Sequence, residues 1–260
     1  TLSPALTTRA RVEHVQPLAE DFLRNTSAGV GATWEPEDRR YIVEGDLEYA
    51  VSSNSQETWY VSTTYGRRWD DVTLLSRSRY ATTTGEAGRT RARSRLGWAH
   101  RPPTDDALNT LVWYEFDLDD GLGQRETRHT WSIGGERKVE ARLRLRGRLA
   151  GQFYGLSQFD TGLDARTVTL MMQGGAERDF GRRWIAGANL AAFTDGGFEE
   201  QTFATGGEVG FVPARNALVA VGYNHAWSKE IDTPRLYRDG WFMRLQLKFD
   251  DDLWDIFDRS

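Results

Sequence analysis

The chemistry this chain offers is chiefly that of guanidinium and carboxylate groups set at every second residue. Arg142, Arg144, Arg146 and Arg148 follow one another at a spacing of two, as do Arg89, Arg91, Arg93 and Arg95. Glu44, Asp46 and Glu48 form an acidic counterpart, and Glu115 and Asp117 repeat it further along. A spacing of two places each set on one face of a β-strand. Arg suits such a ladder because its planar fork holds two carboxylates and stays ionised. Two uses follow: a charged network that fills and rigidifies an interior, or a charged constriction that selects anionic solutes in a water-filled pore. Folding the chain about Pro103 sets Arg91 opposite Glu115 and Arg89 opposite Asp117 as cross-strand ion pairs. Glu126, in the preceding strand, is expected near the Arg142–Arg148 ladder.

Other chemistry is sparse. The His residues are His14, His100, His129 and His225, and His100 and His129 fall on the apolar parity at opposite strand ends. Neither G-x-S-x-G nor H-E-x-x-H occurs. Asp119-Asp120-Gly121 and Asp195-Gly196-Gly197 read as loop turns, since no twelve-residue calcium pattern follows. Zero Cys removes thiolate metal sites and disulfides. With 33 basic against 38 acidic residues, the formal charge of -5 argues against nucleic acid as a partner. The expectation is therefore no enzyme, no cofactor and no metal.

The elements that must carry these ladders are strands. Alternation recurs over residues 9–16, 26–34, 41–51, 58–65, 72–80, 89–98, 108–118, 126–133, 138–149, 166–173, 184–193, 202–211, 217–227 and 241–249. Connections alternate too. Tight ones are placed at 35–38, 66–69, 101–105, 135–137, 177–181 and 212–215, and longer ones at 17–25, 83–88, 119–124, 153–163, 195–200 and 228–237, with 52–55 as the short exception. Residues 15–24 also read as a short helix.

Only 39% of the chain is hydrophobic, and no run approaches the roughly 20 apolar residues of a membrane helix. Most of the strands nevertheless reach the roughly 9–11 residues that span a bilayer, against about 5–6 in soluble sheets. Tight turns on one side and longer loops on the other fit a membrane barrel. The fold class read from this is an all-β, transmembrane, antiparallel up-and-down β-barrel of about 14 strands, in a range of roughly 12–16. It is read as one domain over residues 1–260, with 251–260 as a periplasmic tail. Thr1 is not an initiating residue, so the chain is read as processed or as the C-terminal part of something longer.

Of the 33 basic residues only Lys138, Lys229 and Lys248 are Lys, and there are 10 Trp. The Trp cluster near strand ends: Trp34, Trp59, Trp69, Trp98, Trp184, Trp227 and Trp241 are expected in two aromatic girdles at headgroup level. The lumen charge network is assigned to Glu44, Asp46, Glu48, Arg89, Arg91, Arg93, Arg95, Glu115, Asp117, Arg142, Arg144, Arg146 and Arg148. Gly240, Leu245, Leu247 and Phe249 resemble the C-terminal signal by which outer-membrane barrels are recognised for assembly.

Residues 93–116, from Arg93-Ser-Arg-Leu-Gly-Trp-Ala-His-Arg-Pro-Pro to Trp-Tyr-Glu-Phe116, resemble a hairpin of the C-terminal barrels of large bacterial outer-membrane proteins. Val221-Gly-Tyr-Asn224, with Gly240–Phe249 and Asp250-Asp-Asp-Leu253, resembles their last two strands. The resemblance implies localisation in the bacterial outer membrane and a role as the anchor of a larger cell-surface or envelope assembly. The alternatives are a passive or anion-preferring pore, and an autotransporter-like translocator of an N-terminal passenger. The implied partners are outer-membrane lipid and lipopolysaccharide, the barrel assembly machinery and other envelope or surface proteins.

Overall fold

The computed structural model describes residues 5–15, 25–38, 40–85, 88–104, 108–181, 183–197, 201–214, 217–226 and 239–247. These form strands β1 (Leu6–Val15), β2 (Asn25–Trp34), β3 (Tyr41–Ser52), β4 (Glu57–Arg68), β5 (Val72–Thr83), β6 (Arg89–His100) and β7 (Asn109–Gly121). The order continues with β8 (Gln124–Glu140), β9 (Leu143–Gln158), β10 (Leu163–Phe180), β11 (Trp184–Asp195), β12 (Gln201–Ala214), β13 (Ala217–Ala226) and β14 (Gly240–Leu247). Each strand neighbours the next in a single 14-stranded up-and-down sheet. The described pairings are antiparallel.

The distribution of apolar groups is inverted relative to a soluble protein. Among the described residues the buried hydrophobic ones are Ala50, Ala150, Ala191, Ala204 and Ala220, with no large side chain among them. Large apolar groups are exposed instead, among them Val30, Leu47, Leu96, Leu190 and Val209. A sheet that leaves its aliphatic groups uncovered while its opposite face carries ion pairs has no aqueous explanation. In a bilayer the same alternation puts apolar groups against lipid and polar groups inside.

Two compact units are distinguished: Thr1–Pro103 with Asn109–Ile133 and Ala150–Thr169, and Thr104–Leu108 with Gly134–Leu149 and Leu170–Ser260. In the first, the register aligns polar rungs across β1 to β7. One rung reads Arg9, Gly31, Asp46, Ser62, Arg79, Arg93, Asp117. The next reads Arg11, Gly29, Glu48, Tyr60, Ala81, Arg91, Asp119. In the second unit, β11 to β14 pair in sequence, and their covered face is built of small residues such as Ala204 and Ala220.

Several expected boundaries move. Residues 138–149 are not one strand: Ala141 and Arg142 form a turn between β8 and β9. Arg142 therefore leaves the ladder that Arg144, Arg146 and Arg148 occupy. The turn carries no Gly, Pro, Asn or Asp, the residues that signal one in sequence, and the Arg alternation runs on through it. The tight turn expected at 135–137 lies inside β8. The loops expected at 119–124 and 153–163 shrink, because β7 to β10 run on to 13–18 residues each. Leu122 takes a positive φ of 54° between Gly121 and Gly123, which lets β7 turn into β8 in two residues. The expected first strand at residues 9–16 is β1, while the helix read over 15–24, Trp227, Phe249 and the 251–260 tail fall outside the described residues.

The β6–β7 hairpin also corrects a register. His100 pairs with Thr110, so Arg91 faces Asp119, Arg93 faces Asp117 and Arg95 faces Glu115, while Arg89 faces Gly121. The hairpin closes through residues 101–108 and not about Pro103, which moves each Arg four positions along β7. An even shift keeps every side chain on its expected face.

Candidate functional site: a charged cavity on the polar face

The polar face of the first unit lines an open cavity of about 900 Å³. Its charged lining consists of Arg9, Arg11, Arg79, Arg91, Arg93 and Arg128, against Asp46, Glu48, Asp117, Asp119 and Glu126. Six guanidiniums against five carboxylates leave the lining net positive.

Two of its acids, Asp46 and Glu48, come from β3 and are answered from β1, as is Glu44 beside them. Arg9 binds Glu44 at 2.7 Å and also pairs with Asp46, while Arg11 Nη2 binds Glu48 at 2.6 Å. Both Arg belong to β1 and both acids to β3, so each side chain crosses β2. Gly31 and Gly29 occupy the crossing points. A Cβ at Gly31 would meet the carboxylate of Asp46 and stand 2.9 Å from Arg9 Nε. Ser62 on β4 adds a hydrogen bond to Asp46 at 3.2 Å.

On the other side, β6 meets β7. Arg89 grips Asp119 through Nε and Nη2, each at 2.5 Å. Arg91 Nε reaches the same carboxylate at 3.1 Å. Arg93 pairs with Asp117, and lies 3.7 Å from Glu115. Arg95 pairs with Glu115 and lies 6.0 Å from the centre of the Trp113 ring.

Between these two ion-paired blocks lie β4 and β5. Arg79 faces Ser62 and Arg93, and Arg77 faces Thr64 and Arg95. Among the described residues neither Arg77 nor Arg79 has an ion-pair or hydrogen-bond partner. Like charges directly opposite are unfavourable, so this column is the uncompensated part of the face.

The ladder on β9 is placed differently from expectation. Arg144 binds Glu136 at 3.1 Å and Glu177 at 3.4 Å, whereas Glu126 lines the cavity with Arg128 and Tyr154. In the second unit Arg244 of β14 binds Glu208 of β12 at 2.7 Å, passing β13 where Ala220 and Gly222 are small. Arg9, Arg11, Arg79, Asp119, Glu208 and Arg244 were missed in sequence. The signal that finds Arg9, Arg11 and the Arg244–Glu208 pair is an Arg whose pairing neighbour is Gly or Ala, because only small residues let a side chain reach the second strand over.

The aromatic residues collect at strand ends. Trp34 lies 6.3 Å from Tyr41, and Arg67 sits 5.0 Å above Tyr41 and 4.5 Å above Trp69. Trp98 stacks on His100, and Trp184 packs on Phe211 at 5.1 Å. At the other ends, Trp59 meets Tyr49 at 4.6 Å and Trp241 meets Tyr223 at 5.3 Å. Of the residues resembling an assembly signal, Gly240 has a φ of 135° and Leu245 is exposed.

The remaining polar groups have local partners. His14 meets Thr26 at 2.9 Å, His100 meets Asp71 at 3.0 Å, and His129 meets the Tyr114 hydroxyl at 2.7 Å. His225 lies 3.4 Å from Asp239. Asp119 and Asp120, expected in a loop, belong to β7, and Asp120 is held by Arg125 at 2.5 Å. Among the described residues no group of three or more His, Asp or Glu has metal-binding geometry.

No protein-family model matches the sequence, and no curated protein does. Solved structures do. The siderophore receptor PirA from Pseudomonas aeruginosa matches with a TM-score of 0.62 at 7% identity, over 85% of this chain and 45% of that one. The chain thus spans less than half the length of that receptor. An anion-selective porin from Comamonas acidovorans matches at 10% identity over 85% of this chain and 89% of that one, with a TM-score of 0.40. OmpT, an outer membrane protein of Vibrio cholerae, matches at 11% identity over 85% and 84%, with a TM-score of 0.41.

The fold is that of the outer-membrane β-barrels: all-β, antiparallel and up-and-down, with 14 strands. Its uncovered apolar face is the lipid-facing one, which makes this a transmembrane barrel of the bacterial outer membrane. The expectation that the chain is not an enzyme is corrected. A fold that proteins of different function share gives no ground for excluding catalysis.

Proposed function

We propose that the chain forms a water-filled pore in the outer membrane that favours anions. The observation that carries this is the unpaired column of Arg77 and Arg79, set opposite Arg95 and Arg93 on the polar face. A structural network would place an acid on β4 or β5 to neutralise them. The polar face of β4 instead presents Thr58, Tyr60, Ser62 and Thr64 beside this column and carries no acid. Rings of Arg or Lys select anions in pores, and a passage with low-dielectric walls concentrates the counter-ion of its lining. The paired Arg of β1 and β6, with Glu44, Asp46, Glu48, Glu115, Asp117 and Asp119, then serve as the rigid wall that holds the free ones in place.

The test is the reversal potential of the purified protein in planar bilayers under a salt gradient. Anion preference at low salt, weakening as salt rises, supports the reading. A change to cation preference in the double variant Arg77→Glu, Arg79→Glu ties it to this column. Absence of conductance, or cation preference in the unaltered protein, refutes it.

A second reading, anchoring of a larger surface assembly, is supported by the resemblance of residues 93–116 and 221–253 to barrels of that kind. It predicts that a surface component is lost from cells when the chain is deleted and restored when it is returned. On either reading β14, with Gly240, Leu245 and Leu247, together with the Phe249 that follows it in sequence, is the segment offered to the assembly machinery, and the strand-end Trp sit at the headgroups.

A further inference from the structure

We propose that the hollow over Ala81 is a seat for a phosphomonoester, a group that Arg79, Arg91 and Arg93 bind together. The proposal deepens the pore reading and rests on it in one respect, that the polar face is in contact with water.

Ala81 of β5 faces Tyr60 on β4 and Arg91 on β6. Two residues away on the same face, Arg79 lies between Ser62 and Arg93. Neighbouring strands are about 4.8 Å apart and same-face residues about 6.8 Å apart along a strand. The methyl group of Ala81 therefore leaves a gap bordered by Arg79 along its strand, Arg91 beside it and Arg93 diagonally, and all of these residues line the cavity.

Arg91 and Arg93 are tied down at one end only. Each meets its carboxylate through Nε, Arg91 to Asp119 and Arg93 to Asp117. Asp119 is already gripped in bidentate fashion by Arg89. The terminal nitrogens of Arg91 and Arg93 have no partner among the described residues, and both side chains are 58% exposed. Arg79 has no partner at all among them. Three forked donors thus border a stretch of β4 and β5 whose polar face carries no acid.

The ligand class follows from the count. A phosphate monoester carries three terminal oxygens, one for each guanidinium, and guanidinium–phosphate pairs are bidentate and charge-assisted. A carboxylate has only two oxygens, and chloride exploits neither fork. The ester group points away from the guanidiniums, toward Tyr60. That ring is 46% exposed, and a flat or sugar-like body can stack on it.

The full chain, folded in detergent micelles, is titrated calorimetrically with phenyl phosphate, inorganic phosphate and benzoate. Phenyl phosphate is expected to bind saturably and more tightly than either of the others. Losing one charge-assisted partner in Arg79→Gln should weaken it about tenfold or more. Ala81→Leu should abolish binding by filling the hollow. Arg77→Gln removes the same charge one rung away and should leave binding within about twofold, as expected where screening confines a charge to its neighbours. Heat-dependent gel mobility of each variant verifies that it has folded. Equal binding of benzoate and phenyl phosphate, equal effects of Arg77→Gln and Arg79→Gln, or no saturable binding would overturn the seat. Conductance without binding leaves the pore and removes the seat; saturable binding without conductance removes the pore and leaves the seat.

Discussion

Arg9 on β1 forms its ion pair with Asp46 on β3, two strands away, and passes over Gly31 to do so. Cross-strand pairs ordinarily join adjacent strands. Here a glycine in the intervening strand converts a nearest-neighbour ladder into one that ties three strands together. Arg11 repeats the arrangement over Gly29, and Arg244 over β13. Alternation of Arg and Gly on neighbouring strands is therefore part of how the polar face is stiffened.

Gly31→Val should break this tie. The new side chain would occupy the space of the Asp46 carboxylate and the Arg9 stem, at a cost of about 1–3 kcal/mol. Gly45 lies in β3 on the opposite face with nothing within 4 Å of a Cβ. Gly45→Ala should be neutral. Urea-induced unfolding from lipid vesicles gives both values, and equal midpoints would show that Gly31 is spared for some other reason.

The two faces can be told apart by charge insertion. Leu96 is 48% exposed on the apolar face of β6, next to Arg95 on the polar one. Leu96→Arg should impair insertion, since Arg against lipid near the bilayer midplane costs roughly 2–4 kcal/mol. Arg95→Leu should insert normally and lose only its contact with Glu115. The fraction that folds into vesicles is the measurement, and similar fractions would mean that the faces are not lipid and lumen.

The β6–β7 register is testable by double-mutant cycles. Arg93 with Asp117 should show a coupling of up to about 1 kcal/mol, the upper range for a partly exposed pair. Arg91 with Glu115, which sequence folding about Pro103 had placed opposite, should show almost none. The reverse result would restore the shorter hairpin.

That hairpin illustrates how far the sequence can be read. Parity alone separates the faces of β3, β6 and β14, because side chains alternate with a strict period of two and any even slip preserves it. The partner of each Arg is not recoverable in the same way. Asp119 looked like a loop residue because Asp119-Asp120-Gly121 has the composition of a turn, yet the strand runs through it to reach Arg89 and Arg91. The turn at Ala141–Arg142 was hidden for the opposite reason: the local composition is that of a strand, and pairing with neighbours overrides it. Arg9 and Arg244 were invisible as network members because their acids lie two strands away, a distance that no local pattern encodes. Strand number survived these shifts because the turn lost at 135–137 is recovered at 141–142.

The second unit offers the sharpest test of burial. Glu208 is only 9% exposed at its side chain, and Arg244 is 34% exposed with its Nε buried and without a hydrogen-bond partner. Glu208→Gln would keep the shape and remove the charge that compensates Arg244. Breaking a buried pair leaves one uncompensated charge, at a cost of about 3 kcal/mol, the low end of the range because Arg244 is partly wetted. Arg11→Gln removes one member of an exposed pair, with Arg11 60% exposed, and should cost well under about 1 kcal/mol. Replacing both Glu208 and Arg244 by Gln and Met should recover most of the loss, since it removes the orphaned charge together with its partner. The three unfolding midpoints should therefore rank Glu208→Gln lowest, with the double variant above it and Arg11→Gln nearest the unaltered protein. A double variant no more stable than Glu208→Gln would mean that the pair contributes through its attraction, and not merely by neutralising Arg244.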